Sequence, residues 1–252
     1  MTNGIRDTIR GQAASGLVVW LPALAGWLLL YWGATNMGSP AAQLTMPMSD
    51  WSWANWIAVL IMWAVMMAAM MLPTTMPMVL VFGTLNRSRS EARRTVAFVA
   101  GYVALWTAFA AAATAAQWTL QATGLLSPMI VSMSPLFSAA LLTIAGAFQF
   151  TPLKRTCLRA CRSPFGFLLT DWRNGLGGAT QMGVRHGLYC LGCCWALMAL
   201  LFVGGAMNLM WIAALALLVA MEKLAPKGEI LARALGALMI VAGAVRLIWP
   251  AS

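Results

Sequence analysis

Long apolar runs separated by short polar segments dominate the chain. A helix that crosses a bilayer needs about 20 apolar residues, and five runs have this length on their own. We predict the corresponding helices over about 17–34, 56–82, 95–117, 134–151 and 230–248. A further run, 186–221, has no formal charge and is too long for one span. Because small residues at 203–208 favour a tight turn there, we interpret this run as a helical hairpin.

The distribution of basic residues favours seven spans over six. Lys and Arg collect in the cytoplasmic loops of membrane proteins. With seven spans and a cytoplasmic N-terminus, every basic residue except Arg246 lies on the cytoplasmic side, including Arg87 and Arg89. A single span over 186–221 would move the basic residues that follow it to the other side. We therefore predict an all-α, polytopic transmembrane helical bundle of about seven spans, with the N-terminus cytoplasmic and the C-terminus external.

Composition supports this class and argues against several others. The chain is 62% hydrophobic and 9% charged, unlike a soluble globular domain. Its net charge of +10 comes from basic clusters between apolar runs, so we expect lipid contacts and no nucleic-acid binding. A P-loop, a G-x-S-x-G motif and an H-E-x-x-H motif are all missing, which does not favour an enzyme. We predict one integral membrane domain over 1–252, in which 152–185 is a cytoplasmic basic loop.

All five cysteines fall in two short segments that the predicted topology brings to one membrane face. Cys157 and Cys161 are four residues apart in the basic loop, and Cys190, Cys193 and Cys194 begin the fifth span. The cytoplasm keeps thiols reduced and the number of cysteines is odd, so a disulfide framework is not expected. The pattern favours a metal or redox site.

Two more side chains join this predicted site. Residues four apart share a helix face, so one stripe carries His186, Cys190, Cys194 and Met198. Glu222 ends the sixth span at the same membrane level. The predicted metal ligands are Cys157, Cys161, His186, Cys190, Cys193, Cys194 and Glu222.

A plainer interpretation exists for each of these residues taken singly. Cysteine is also a small apolar residue that packs on helix faces. His186 at the start of a helix suits the membrane interface equally well, and Glu222 beside Lys223 is typical of a solvated charge. The clustering of five cysteines with a histidine on the same stripe favours the site.

The sulfur donors indicate which metal to expect. Thiolate and thioether ligands select Cu(I), zinc or iron–sulfur clusters, and the 19 methionines favour Cu(I), with zinc as the alternative. Methionine is also an ordinary apolar filler, so most of these residues are expected to serve packing. Outer loops carry Met46, Met48 and Met207, whereas the thiols lie inside. We predict a metal path along Met62, Met66, Met70, Met76 and Met198.

The second span contains a break at Pro73 and Pro77. Proline has no backbone N–H and so leaves the carbonyls of Ala69 and Pro73 without their helical donors. Such breaks at membrane depth border cavities, where other groups satisfy the freed carbonyls. We therefore predict a cavity beside the break.

Five motifs together resemble an uncharacterised bacterial family of predicted metal-binding integral membrane proteins. The resemblance runs from about Trp53 to Lys223 and rests on "AMMLPTTMPM", "CLRACRSP", "GLYCLGCCWALM", "GAMNLMW" and "MEK". It implies a multi-pass protein of the bacterial inner (cytoplasmic) membrane with a metal site. Its motifs select the five cysteines and Glu222.

Three functions remain as hypotheses. The preferred one is Cu(I) handling, by binding, transfer or support of metalloenzyme assembly, with a metallochaperone or a membrane protein as partner. A membrane thiol-disulfide oxidoreductase is the second, since neighbouring basic residues favour reactive thiolates in the loop. A non-catalytic assembly subunit is the third.

Overall fold

The computed structural model describes residues 2–47, 50–85 and 91–249. Met48, Arg87 and Arg89, which entered the predictions above, lie outside these ranges. The described residues form helices joined by short connections. These helices are α1 (Thr2–Thr35), α2 (Pro40–Leu44), α3 (Trp53–Met71), α4 (Met76–Leu85), α5 (Glu91–Ala122), α6 (Pro135–Phe148), α7 (Pro152–Arg162), α8 (Pro164–Asp171), α9 (Gly175–Ala199), α10 (Leu201–Gly204), α11 (Leu209–Leu224) and α12 (Gly228–Ile248).

Among the described residues, five stretches are long and apolar enough to cross a membrane. They are Ser15–Thr35, Trp53–Leu85, Ala92–Ala122, Gly175–Gly204 and Gly228–Ile248. A sixth arises if α6 and α7, which are bent by 65°, count as one span. Helix α11 has 16 residues, fewer than the roughly 20 needed to cross the hydrocarbon core. The all-helical class is thus confirmed, whereas the seven-span topology and its orientation stay predictions.

The hairpin turn lies where the sequence predicts it. Helix α10 ends at Gly204, and Gly205 follows with φ of 93°, a conformation that glycine adopts without strain. The side chain of Asn208 then caps α11 by accepting a hydrogen bond from the backbone of Trp211. The Trp211 indole donates to the carbonyl of Leu200 at 2.8 Å, which ties α11 back to the end of α9.

The basic segment 152–185 differs from the extended loop that its composition suggests. Most of it is helical, in α7, α8 and the first part of α9. Thr151 caps α7 and Pro152 occupies its first turn, both common at helix starts. Lys and Arg have good helix propensity, so a basic composition does not oppose a helix.

The proline break separates α3 from α4 by a single 3₁₀ turn, Pro73–Thr75. The carbonyl of Ala69, which the proline leaves without a helical donor, accepts a hydrogen bond from the Trp27 indole of α1 at 3.1 Å. Thr74 donates to the carbonyl of Met71 at 2.8 Å. The predicted break is therefore present, and α1 and α3 are joined at it.

Helix α9 lies at the centre of the bundle. Among the five candidate spans, the one that contains α9 has the largest share of buried residues, 56%, against 17% for the span in α1. Its glycines allow a close approach of α5, since a Cβ at Gly183 would lie 1.9 Å from the carbonyl oxygen of Phe98. Helix α7 packs on another side of α9. More than half of the residues in this span are therefore enclosed by protein.

Candidate functional site

The predicted stripe on α9 points into the core. His186, Cys190, Cys194 and Met198 each have 1% of their surface exposed, and so does Cys193. Four of these side chains recur at the helical spacing of four, which explains their common face. His186 is therefore buried more deeply than a histidine at the membrane interface would be.

The cysteines of α7 lie against the same helix. The sulfur of Cys157 is so close to α9 that a Cβ at Gly192 would lie 2.7 Å from it. The side chain of Cys161 interacts with those of Cys190 and Cys193. Glycine at 192 thus makes room for a thiol of the neighbouring helix. The convergence of the two cysteine segments, on which the predicted site depends, is present.

A buried lysine contacts this group of thiols. The Nζ of Lys223 lies 2.8 Å from the Sγ of Cys190, 3.4 Å from the hydroxyl of Thr74 and 3.8 Å from the sulfur of Met71. Lys223 is only 5% exposed. A charged group at this depth requires close polar partners, and a thiolate is the partner that would balance an ammonium. The position therefore favours negative charge on Cys190.

Tyr102 of α5 completes the surroundings of Cys190. Its hydroxyl lies 2.9 Å from the Sγ of Cys190 and 3.2 Å from the carbonyl oxygen of Met71. Because Met71 ends α3, this hydroxyl links the proline break to the thiols. Three helices, α3, α5 and α11, thus meet at the first cysteine of α9.

The other two thiols of α9 are directed along their own helix. Cys193 and Cys194 both donate to the carbonyl oxygen of Cys190, at 3.1 and 3.0 Å. Among the described residues, no three or more His, Cys, Asp or Glu side chains already surround a common point at metal-binding geometry. Binding an ion would therefore require these thiols to leave the carbonyl and rotate toward one another. Such rotations involve only side-chain torsions.

Glu222 is buried and belongs to a charge pair beside the thiols. Its carboxylate accepts hydrogen bonds from Lys154 at 2.5 Å and from Gln149 at 2.9 Å. Lys154 also donates to the carbonyl oxygen of Cys193 at 2.5 Å. The carboxylate is 1% exposed, so it is not the solvated charge that its neighbour Lys223 suggests. Its role as a metal ligand stays a prediction.

His186 lies in an aromatic environment. Its ring stacks on Tyr102 at a centroid distance of 5.8 Å and contacts Phe167 edge-on at 5.6 Å. Its Nδ1 is buried and has no hydrogen-bond partner within the described part of the chain. An unpaired buried nitrogen costs free energy, and a metal or a water molecule would satisfy it. The predicted role of His186 as a ligand therefore remains a prediction.

The methionines of the predicted path differ in burial. Met66, Met70 and Met198 are buried, whereas Met62 and Met76 are partly exposed. Met71, outside the predicted path, approaches the thiols through Lys223. The existence of a path stays a prediction.

Two cavities flank this site along α11. The first, called here the polar cavity, has a volume of about 210 Å³ and borders the proline break, as predicted. Its walls are Thr74, Pro77, Met78, Cys161, Arg162, Pro164, Lys223 and Leu224. The second, the methionine-lined cavity, has about 310 Å³ at the opposite end of α11, where Met46, Met62 and Met207 contribute to an otherwise apolar wall.

Sequence reasoning missed the residues that surround the sulfurs. Lys223 was interpreted only as a cytoplasmic charge and Lys154 as a basic neighbour that favours thiolates in the loop. Tyr102 and Gln149 carried no signal. One clue was available for Lys223, because it follows Glu222 directly at the end of an apolar run. Adjacent residues of a helix point in different directions, so the two charged side chains cannot both point away from the bundle. The Lys154–Glu222 pair joins residues 68 positions apart, a separation that no local pattern records.

A family model described as a copper chaperone matches residues 60–246. The chain belongs to the PpoB2 copper chaperone family. The matched region contains the later part of α3, the proline break, all five cysteines, Lys154, Glu222 and Lys223. No curated protein and no solved structure matches the chain. Membership of the copper chaperone family supports a role in copper handling and accords with the resemblance to a metal-binding family.

Proposed function

We propose that this member of the copper chaperone family is an integral membrane protein that binds Cu(I) and passes it to a copper-using partner. The ion is held by thiolates of the cysteine cluster, defined here as Cys157, Cys161, Cys190, Cys193 and Cys194. The observation that carries the proposal is the meeting of cysteines from α7 and α9 inside the bundle. Soft thiolates in a water-poor site suit Cu(I).

The buried lysine supports an anionic site. Thiols bind metals as thiolates, so bound Cu(I) with two or more cysteines leaves net negative charge in the core. Lys223 stands 2.8 Å from the sulfur of Cys190 and balances part of that charge. His186 and Glu222 flank the cluster, and they are the nitrogen and oxygen donors we expect if the coordination extends beyond sulfur.

The apolar helices support placement in a bacterial inner membrane, with the cluster toward the cytoplasm. Basic side chains gather at the end of the bundle that holds α7: Arg159 pairs with Glu229, and Arg185 pairs with Asp171. Arg162 donates to the carbonyls at the end of α11. Concentrated Lys and Arg are typical of a cytoplasmic face.

Metal analysis of the purified, reduced full-length protein tests the proposal. We expect about one Cu(I) per chain, with X-ray absorption dominated by sulfur neighbours as soft donors require. The double variant Cys190→Ser, Cys194→Ser should lose this copper, because it removes both thiols of the stripe. Met210→Leu serves as the control, since it removes an exposed sulfur away from the cluster.

Retention of copper by the double variant would reject the cysteine cluster as the binding site. Preferential binding of zinc over Cu(I) in a competition between the two ions would reject the choice of metal. A folded double variant is recognised by an unchanged helical circular dichroism spectrum, so loss of copper can be separated from loss of structure.

A thiol-disulfide oxidoreductase remains the second candidate, because the contact of Lys223 with Cys190 also favours a nucleophilic thiolate. Burial argues against it, since Cys190 is 1% exposed and a disulfide substrate must reach the attacking sulfur. A mixed disulfide trapped at Cys190 with a partner protein would favour this function over Cu(I) binding.

A further inference from the structure

The five cysteine residues differ in exposure and in their position relative to the polar cavity. Cys157 is 9% exposed and the three cysteines of α9 are each 1% exposed, whereas Cys161 is only half-buried. Cys161 is also the cysteine that forms part of the wall of the polar cavity. Its side chain interacts with those of Cys190 and Cys193 on the other side. Cys161 therefore stands between the space outside the cluster and the thiols within it.

The polar cavity is suited to a hydrated, polar ligand. Its volume of about 210 Å³ far exceeds the roughly 10–15 Å³ that one water molecule needs. Thr74, Arg162 and Lys223 give the wall a hydroxyl and two cationic side chains. Lipid chains would not be expected to enter such a space, because burying these polar groups against hydrocarbon is costly. A thiolate donor, in contrast, is attracted by the positive side chains.

Lys223 connects the cavity wall to the cysteine cluster through two contacts. Lys223 lines the cavity and at the same time lies 2.8 Å from the sulfur of Cys190. Thr74, at 3.4 Å from the same ammonium, lines it as well. Because Lys223 belongs to the cavity wall and contacts the sulfur of Cys190, the inner thiols lie directly behind the wall that contains Cys161.

We propose that the polar cavity is the port through which Cu(I) enters and leaves the cluster, with Cys161 as the exchanging ligand and a thiolate of a cysteine-bearing carrier as the group that docks there. This inference rests on the proposed function. In the exchange step a bond forms between copper and the sulfur of Cys161, and the bond between copper and the carrier sulfur breaks. The proton of Cys161 passes to the departing carrier thiolate. Copper stays in the Cu(I) state, so no electron is transferred.

The transferred ion then moves inward by the same type of step. Cys190 binds copper from Cys161, because Lys223 lines the cavity together with Cys161 and contacts the sulfur of Cys190. The inner cysteines hold the ion and Cys161 is released for the next exchange. Cys161 thus controls the rate of transfer more than the affinity of the loaded protein.

The rate of copper release tests this inference. The purified protein is loaded anaerobically with Cu(I), mixed with excess bathocuproine disulfonate, and the coloured Cu(I) complex is followed in a stopped-flow spectrometer. We expect Cys161→Ser to release its bound Cu(I) at least about tenfold more slowly per bound ion, as a barrier raised by about 1.4 kcal/mol requires. Ser163→Ala is the matched control, since it is exposed, two residues away and not part of the cavity wall.

A second variant narrows the cavity without touching a thiol. Leu224 is 51% exposed and lines the cavity, so Leu224→Trp should slow release while copper content stays unchanged. Leu169→Trp, at an 81% exposed site outside the cavity wall, should release copper at the wild-type rate.

A measurement on the wild-type chain avoids any question of misfolding. Maleimide labelling followed by peptide mass spectrometry should modify Cys161 before the other four cysteines, and prior loading with Cu(I) should protect the inner cysteines while Cys161 stays reactive. Earlier labelling of Cys157 or Cys190 would overturn the port, and so would an unchanged release rate in Cys161→Ser. Failure of the proposed function is distinct, because the wild-type protein would then bind no Cu(I) at all.

Discussion

The two cavities at the ends of α11 show opposite chemistry on one helix. Leu209 and Ile212 line the methionine-lined cavity, and Lys223 and Leu224 line the polar cavity. These positions are about 20 Å apart along the helix, at 1.5 Å per residue. The first cavity has thioethers in an uncharged, apolar wall, and the second has a thiol beside buried cations. Under the proposed function, the thioether end would bind Cu(I) weakly, whereas the thiol end would hold it with charged ligands.

The difference lies in what each cavity requires of the rest of the protein. Thioethers need no counter-charge, so the methionine-lined cavity is built from ordinary side chains of α1, α2, α3 and α11. Thiolates need positive charge, and burying that charge requires further polar partners. The Lys154–Glu222 pair and the Gln149 amide supply such partners beside the thiols. Substitutions at the thiol end should therefore have larger effects than those at the methionine end.

The largest effect is expected from Glu222→Gln. The change leaves the ammonium of Lys154 buried at 1% exposure without its carboxylate, which costs about 3–5 kcal/mol. Thermal unfolding followed by circular dichroism in detergent measures the loss. Glu229→Gln breaks the exposed pair with Arg159 and should leave the unfolding temperature unchanged. Equal effects of the two substitutions would remove the distinction between a buried and an exposed pair at this end.

A smaller effect is expected from Lys223→Met. The variant removes the ammonium that contacts Cys190, so thiolates form less readily and Cu(I) affinity should fall by about 10–100-fold, as for other groups that contact metal ligands. Competition with a Cu(I) chelator measures the affinity. Lys227→Met, at an exposed position of the same end, is the control. Tighter binding in Lys223→Met would mean that the lysine opposes the ion instead of supporting its ligands.

The smallest effect is expected at the methionine-lined cavity. The double variant Met62→Leu, Met207→Leu conserves apolar volume, so stability should change by less than about 1.5 kcal/mol. The copper content of the purified protein should stay the same, because the thiols are intact. Uptake of Cu(I) into proteoliposomes should slow if these sulfurs belong to the predicted path, while Ile61→Leu in the same wall should not affect it. A loss of bound copper would place a holding site at this cavity.

Hydropathy was sufficient for the long apolar helices but not for the helices of the basic segment or for helix ends. The apolar runs matched α1, α3, α5, α6 and α12 because burial and helical period act locally in sequence. Segment 152–185 was interpreted as a loop because its basic residues lower the hydropathy, although Thr151 and Pro152 signal a helix start. The bend of 65° between α6 and α7 depends on tertiary packing, which no window of sequence contains.

The site was predictable where it follows helix geometry. The spacing of four placed His186, Cys190 and Cys194 on one buried face, and the proline break was located from Pro73. The charges were not predictable in the same way, because a lysine at a helix end is usually solvated. Only the fold brings Lys154 to Glu222 and Lys223 to Cys190, through contacts between helices distant in sequence.

The hydrogen bond from Trp27 to Ala69 has a consequence for the N-terminal helix. Helix α1 is the least buried candidate span and contains no member of the cysteine cluster, which suggests that it could be deleted or replaced by another anchor. Its indole, however, supplies the donor that the proline withholds from α3. A shortened chain that begins after α1 would open the kink, displace the Met71 carbonyl from the Tyr102 hydroxyl and loosen the surroundings of Cys190. A truncated form of this protein should therefore retain α1, or Pro73 should be replaced in it.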